Sequence, residues 1–349
     1  MPTSCSFTQV LTALVMFVVL ASAALAQVPI GPGALPNTNA MVSSQKAGSV
    51  LFYLYYESST LAHTNTRLNI TNTHLEESVF VHLFFVASCS PADAYLCLTP
   101  NQTLSFTALD QDPDSKGWVM AIAVDGGDTN TPGTGCPINF NWLIGDEFLK
   151  VNGGFTANFG AEAVAARFGT HGARMNSCAA HATSVTLNFD GGVSASSYEA
   201  LAGVLAIDNF PSRLDGHAIR LLFIAPGDSD MMRAGGSVSP NGGGLIGILY
   251  DEAEQPYTFF LSGDCSGSNI NFNFMTPRIL SGGVDGVVGN GRSGWIRIWH
   301  GTGKALLGAV LINNSRPSTA FFSSGGHIMH KLTLNTSAVV TIPLFIPAC

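Results

Sequence analysis

Apolar residues along this chain fall into short runs and two-residue alternations, closed by Gly, Asn, Ser or Thr. That period belongs to strands, because side chains alternate faces along an extended backbone. Residues 48–54 open the series. Asn69-Ile70-Thr71-Asn72-Thr73, the run 79–86 ending near Cys89, and residues 117–122 around Trp118 follow. The second half repeats the order with residues 203–207, 220–224, the run 257–261 ending near Cys265, and 294–298 around Trp295. Two similar β-units predict an all-β chain of two tandem antiparallel β-sandwiches, immunoglobulin-like in broad shape.

Further strands are expected at 67–70, 104–106, 138–144, 185–189, 331–334 and 339–345. Pro343 and Pro347 predict an edge position for the last of these, since proline offers no N–H to a ladder. Residues 161–168 carry the one helical tendency. Residues 1–26 read as a signal peptide, with an apolar run at 10–20 and a small-x-small site at Ala24-Leu25-Ala26 before Gln27. Residues 27–47 form a Pro- and Gly-rich flexible leader, 48–169 the first sandwich, 170–184 a connector and 185–349 the second sandwich.

Composition agrees with this picture. Only 11% of the 349 residues are charged, against a usual ~25%, which disfavours helical bundles with Glu- and Lys-rich wet faces. A formal charge of −8 argues against nucleic-acid partners, which need a basic patch. No segment after the signal peptide reads as a membrane span, so the chain is expected outside the cell or at its surface, with an extracellular protein or a glycan as partner. Cleavage would leave Cys89, Cys97, Cys136, Cys178, Cys265 and Cys349. An even number in an exported chain predicts disulfides; six cysteines allow 15 pairings, of which Cys89–Cys97, Cys136–Cys178 and Cys265–Cys349 is one.

Chemistry is sparsely signalled. Asp110, Asp112 and Asp114 alternate in a loop that offers oxygens to Ca²⁺, though Ser115 and Ala121 stand where an EF-hand needs Gly and Glu. A solvated turn accounts for them as well, and no cofactor is expected unless this loop takes Ca²⁺. Asp228, Asp230, Asp251 and Glu252 form a looser acidic set. Asp208, Asn209, Arg213, Asp215 and His217 form the densest polar cluster, either a binding loop or a plain reversal between strands. His327 and His330 form an H-x-x-H, but i and i+3 point to opposite faces of a strand, so shared metal needs a bulge and other ligands. Trp118 and Trp295 each follow a Gly. They read as repeated core aromatics, with a sugar-stacking platform as the functional alternative. No G-x-S-x-G, P-loop or H-E-x-x-H occurs.

The chain resembles a family of uncharacterised exported bacterial proteins of the acidobacterial type. The likeness rests on Asn69-Ile70-Thr71-Asn72-Thr73, Gly135-Cys136-Pro137-Ile138-Asn139-Phe140-Asn141, Leu143-Ile144-Gly145-Asp146-Glu147 and Ser293-Gly294-Trp295. It also rests on residues 160–163, 204–212 and 326–349. The resemblance implies no known activity, cofactor or catalytic residue. The expectation is a non-enzymatic exported binding or structural module. A secreted polysaccharide hydrolase using loop carboxylates of the second unit, and a calcium-dependent adhesion module, are its rivals.

Overall fold

A computed structural model describes residues 42–88, 90–126, 135–151, 154–178, 182–227, 229–231, 244–261, 268–271, 283–314, 316 and 324–347. Among these residues the chain is all-β, with strands in five sheets. Sheet A has the order β4 (Ser90–Leu98), β3 (Val79–Ala87), β6 (Lys116–Val124), β1 (Val50–Glu57) and β9 (Glu162–Val164). Sheet B runs β5 (Thr103–Thr107), β2 (Asn65–Asn72), β7 (Leu143–Val151), β8 (Phe155–Gly160). Sheet C runs β11 (Ser197–Tyr198), β10 (Ser184–Phe189), β22 (Ala338–Pro343), β14 (Ser229–Asp230). Sheet D runs β16 (Pro256–Leu261), β15 (Leu245–Tyr250), β18 (Ser293–His300), β12 (Val204–Pro211), β21 (His330–Thr333). Sheet E runs β17 (Ser268–Asn271), β13 (His217–Ile224), β19 (Leu307–Asn314), β20 (Ser324–Ile328). Pairing is antiparallel except where the two-residue strands β11 and β14 join sheet C. Two short helices, α1 (Ala108–Gln111) and α2 (Gly283–Val287), precede β6 and β18.

Three hydrophobic cores explain the sequence pattern. Leu51, Tyr53, Val81, Leu83 and Val119 of sheet A meet Leu68 and Ile70 of sheet B. Leu205, Ile207, Ile296 and Ile298 of sheet D meet Ile219, Leu221 and Val310 of sheet E. The third core takes the opposite faces of A and E, with Val50, Phe52, Trp118, Leu222 and Leu311, and adds Leu187, Phe189 and Val340 of sheet C. Strands β1 and β13 are therefore buried on both faces. This is why they read as continuous apolar runs and not as alternations.

The glycines before Trp118 and Trp295 have a steric cause. A Cβ on Gly117 would lie 1.8 Å from the Val86 carbonyl oxygen, and one on Gly294 would lie 2.4 Å from that of Tyr250. Backbone packs there, so only glycine fits.

Four local expectations are corrected. Residues 161–168 are extended, not helical: β9 pairs with β1, and the Asn141 amide holds both the N–H and the carbonyl of Ala166. Residues 138–142 are not a continuous strand. Asn139 and Asn141 side chains replace ladder bonds there, Asn139 donating to the Phe168 carbonyl at 2.7 Å. Strand β22 lies inside sheet C between β10 and β14. Pro343 is tolerated because it is the last residue of the strand and pairs only with Ser184 of β10. The end of the expected leader is packed: Val42 is buried and Ser43 pairs with Ala163.

Candidate functional site

The inward residues of sheet D, among them Leu249, Ile296 and Ile298, fix which side chains face outward. Outward positions align in cross-strand rows. One row is Phe260, Ile246, Trp299 and Val204; the next is Thr258, Ile248, Arg297, Ala206 and His330; the third is Pro256, Tyr250 and Trp295. Phe260 is 62% exposed and Trp295 38% exposed. Tyr250 and Trp295 stack face to face, with ring centroids 4.4 Å apart and planes 7° from parallel. The expectation of two core tryptophans therefore holds for Trp118, which is 1% exposed, and fails for Trp295. The same Gly-Trp pair opens both strands, and the surroundings of each ring lie beyond what a local pattern encodes.

The polar cluster of the second half is divided among separate partners. Arg213 lies in a 3₁₀ turn and pairs with Asp285 of α2. The carboxylate of Asp215 accepts from the Gly291 N–H at 2.9 Å. His217 opens β13 opposite Asn314. Asp208 and Asn209 sit on β12 at an irregularity between Ile207 and Phe210, both exposed.

Asp208 instead meets the two histidines of the H-x-x-H. Its Oδ2 lies 3.4 Å from His330 Nε2 and its Oδ1 lies 3.9 Å from His327 Nε2. Strand arithmetic sends i and i+3 to opposite faces, but the chain leaves sheet E after Ile328 and enters sheet D at His330. The break at Met329 turns both imidazoles to one carboxylate. Desolvation works against ionisation of Asp208, yet hydrogen bonding and charge from His330 and His327 hold its carboxyl below the ordinary range.

Among the described residues, His74, Glu77 and His171 bring three ligand atoms closest together, all within 4.8 Å. The His171 Nε2 lies 2.9 Å from Glu77 Oε2, and the two imidazoles are parallel with centroids 5.0 Å apart. Trp142 and Phe140 line the group. However, Nδ1 of His74 faces the N–H groups of Glu76 and Glu77 at 3.2 and 2.9 Å. It must accept from both, so in the neutral ring the proton sits on Nε2 and neither nitrogen is free for a cation. Glu77 and His171 are 94 residues apart in sequence, so no local motif announces this group.

Asp110, Asp112 and Asp114 each serve a different donor. Asp110 caps α1 by accepting from Thr107, Asp112 accepts from the Tyr56 hydroxyl, and Asp114 accepts from Thr60. Asp251 accepts from the Ala253 and Gln255 N–H groups and Glu252 from that of Ser293. The backbone of Asp230 pairs in β14, and Asp228 lies outside the described residues. Cys136 and Cys178 form the expected disulfide. Cys97 is also disulfide-bonded, while Cys89, Cys265 and Cys349 lie outside the described residues. No helix among the described residues is long and apolar enough to cross a membrane.

No protein-family model matches the chain. No curated protein matches it either. Among solved structures, the crystal structure of Thermotoga maritima 1070 aligns at 12% identity over 34% of this chain and 95% of its own, with a TM-score of 0.25. A likeness at that score carries no argument about fold or role.

Proposed function

We propose that this chain is an exported, non-enzymatic binding module built of two tandem immunoglobulin-like sandwiches, and that it takes a glycan on the outer face of sheet D. The observation that carries the reading is the exposed aromatic face of Trp295, Tyr250 and Phe260. Its weight comes from comparing the two halves. Sheets A and D have matching strand orders once β1, β3, β4, β6 and β9 are set against β12, β15, β16, β18 and β21. Sheets B and E match in the same way, β2, β5, β7 and β8 against β13, β17, β19 and β20. Each half has an irregularity at one place in its central pairing, Tyr53/Tyr56 in one and Ile207/Phe210 in the other. These matches support a tandem repeat.

Under that repeat Trp118, Met120 and Ile122 correspond to Trp295, Arg297 and Trp299. In the first half this face is core, packed through Phe52 on Phe189. In the second half the corresponding positions are uncovered: Trp295 and Arg297 are exposed and Trp299 is half-buried, with Asp208 exposed on the neighbouring strand. A sugar ring presents an apolar C–H face and a polar rim, which flat aromatics beside charged hydrogen-bonding groups match. The Cys136–Cys178 disulfide supports an oxidising compartment.

The test is depletion of the full-length disulfide-bonded protein by a panel of insoluble and soluble polysaccharides, with and without Trp295→Ala. At least one glycan should bind, and the substitution should weaken it by about tenfold, ~1.4 kcal/mol. A flat panel, or equal binding by both forms, would reject the glycan reading.

A further inference from the structure

We infer that Asp208, His327 and His330, at the margin of the outer face of sheet D, form a binding site for a divalent transition cation of the zinc type, whether or not that face takes a glycan. Two imidazoles and one carboxylate are a borderline-soft donor set, and it leaves a fourth position for water. The tautomer of His327 is fixed by chemistry. Its Nδ1 lies 3.1 Å from the Ile328 carbonyl oxygen, which can only accept, so Nδ1 carries the proton. In the neutral ring its Nε2 then presents a bare lone pair towards Asp208 Oδ1, 3.9 Å away.

Two acceptors facing each other repel unless a cation or a proton stands between them. An imidazole whose other nitrogen donates to a backbone carbonyl is the usual arrangement of a metal-bound histidine. This contrasts with His74, whose Nδ1 accepts from two N–H groups. His330 Nε2, 3.4 Å from Asp208 Oδ2, supplies the second nitrogen. The ring centroids of His327 and His330 are 6.4 Å apart, wider than a shared ion allows. Closure thus requires side-chain rotation, which the exposed positions of Asp208 and His330 permit. Each of these contacts depends on the crossing from β20 to β21 at Met329.

The experiment is calorimetric titration of the tag-free, full-length, chelator-treated protein with Zn²⁺ and, separately, Ca²⁺. The expected result is about one saturable Zn²⁺ site and no comparable Ca²⁺ site, since Ca²⁺ prefers all-oxygen cages. His327→Ala, His330→Ala and Asp208→Asn should each weaken Zn²⁺ by more than the ~10–100-fold that losing a supporting partner costs. His171→Ala should leave the affinity unchanged. Metal-free melting of each variant checks its fold, and His327→Gln or His330→Gln replaces any alanine variant that melts early. In ¹⁵N spectra of the wild type, Zn²⁺ should shift His327 Nε2 while Nδ1 stays protonated. No saturable heat, affinity unchanged by the three substitutions, or loss on His171→Ala alone would overturn the assignment.

Discussion

Glu147 on β7 is sealed from water. Its Oε1 accepts from the Leu54 N–H at 3.2 Å, and its Oε2 is buried with no hydrogen-bond partner. Burial pushes its carboxyl well above the ordinary value, against the backbone donors of Tyr55 and Leu54, and the Asp146 charge adds to the rise. In the unfolded chain the same carboxyl ionises near pH ~4.3. Above that pH the unfolded state sheds a proton that the folded state keeps. The stability this group contributes is therefore full in acid and falls as pH rises towards the folded-state pKa, by at most ~1.4 kcal/mol per pH unit. Glu147→Gln removes the titration. Chemical denaturation across pH should show the variant gaining on the wild type as pH rises from about 4 to 7; parallel curves would contradict it. Nothing in the alternating pattern of β7 announced this burial. The carboxyl is covered by β1, which is distant in sequence. The fate of Trp295 was equally illegible, because identical Gly-Trp openings lie in one half under sheet C and in the other on an outward face.

At the scale of elements the sequence was more legible. Buried strands such as β1 and β13 were readable because a strand covered on both faces must be apolar throughout. The misread segments are those in which side chains supply backbone partners, as Asn139 and Asn141 do, or in which a strand changes sheet. His327 and His330 illustrate the second case, since one residue outside both strands reverses the facing that period two dictates. Close backbone approach offers a direct test of element packing. Gly117→Ala would drive a methyl against the Val86 carbonyl at the β3–β6 pairing. It should destabilise the fold by about 1–3 kcal/mol, as overpacking does. An unchanged denaturation midpoint would show that β3 yields without cost.

Across the whole molecule, the described residues from Val42 onward cluster as one compact unit, and the largest core draws on sheets A, B, C and E together. Lys331 of β21 reaches the buried Glu162 of β9 at 2.5 Å, and Lys46 pairs with the buried Glu199. Such ties between distant segments leave no trace in local periodicity. The Cys136–Cys178 disulfide spans 42 residues of sequence. A loop of that length gives about 4 kcal/mol by chain entropy. The double variant Cys136→Ala/Cys178→Ala should lose ~2–4 kcal/mol in equilibrium unfolding under oxidising conditions. A loss below a few tenths would mean that the core alone holds this segment.

The central claim is that the outer face of sheet D is a binding surface and not merely uncovered core. Two of the four tryptophans report on it: Trp295 and Trp299 lie on that face, while Trp118 lies in the core and Trp142 packs on His74. The most direct measurement is a fluorescence titration of the wild type and of Trp295→Ala with a glycan that the wild type retains. A saturable change in the wild type that is reduced in amplitude and about tenfold weaker in the variant is the predicted result. An equal change at equal midpoint in both would place binding elsewhere and contradict the account.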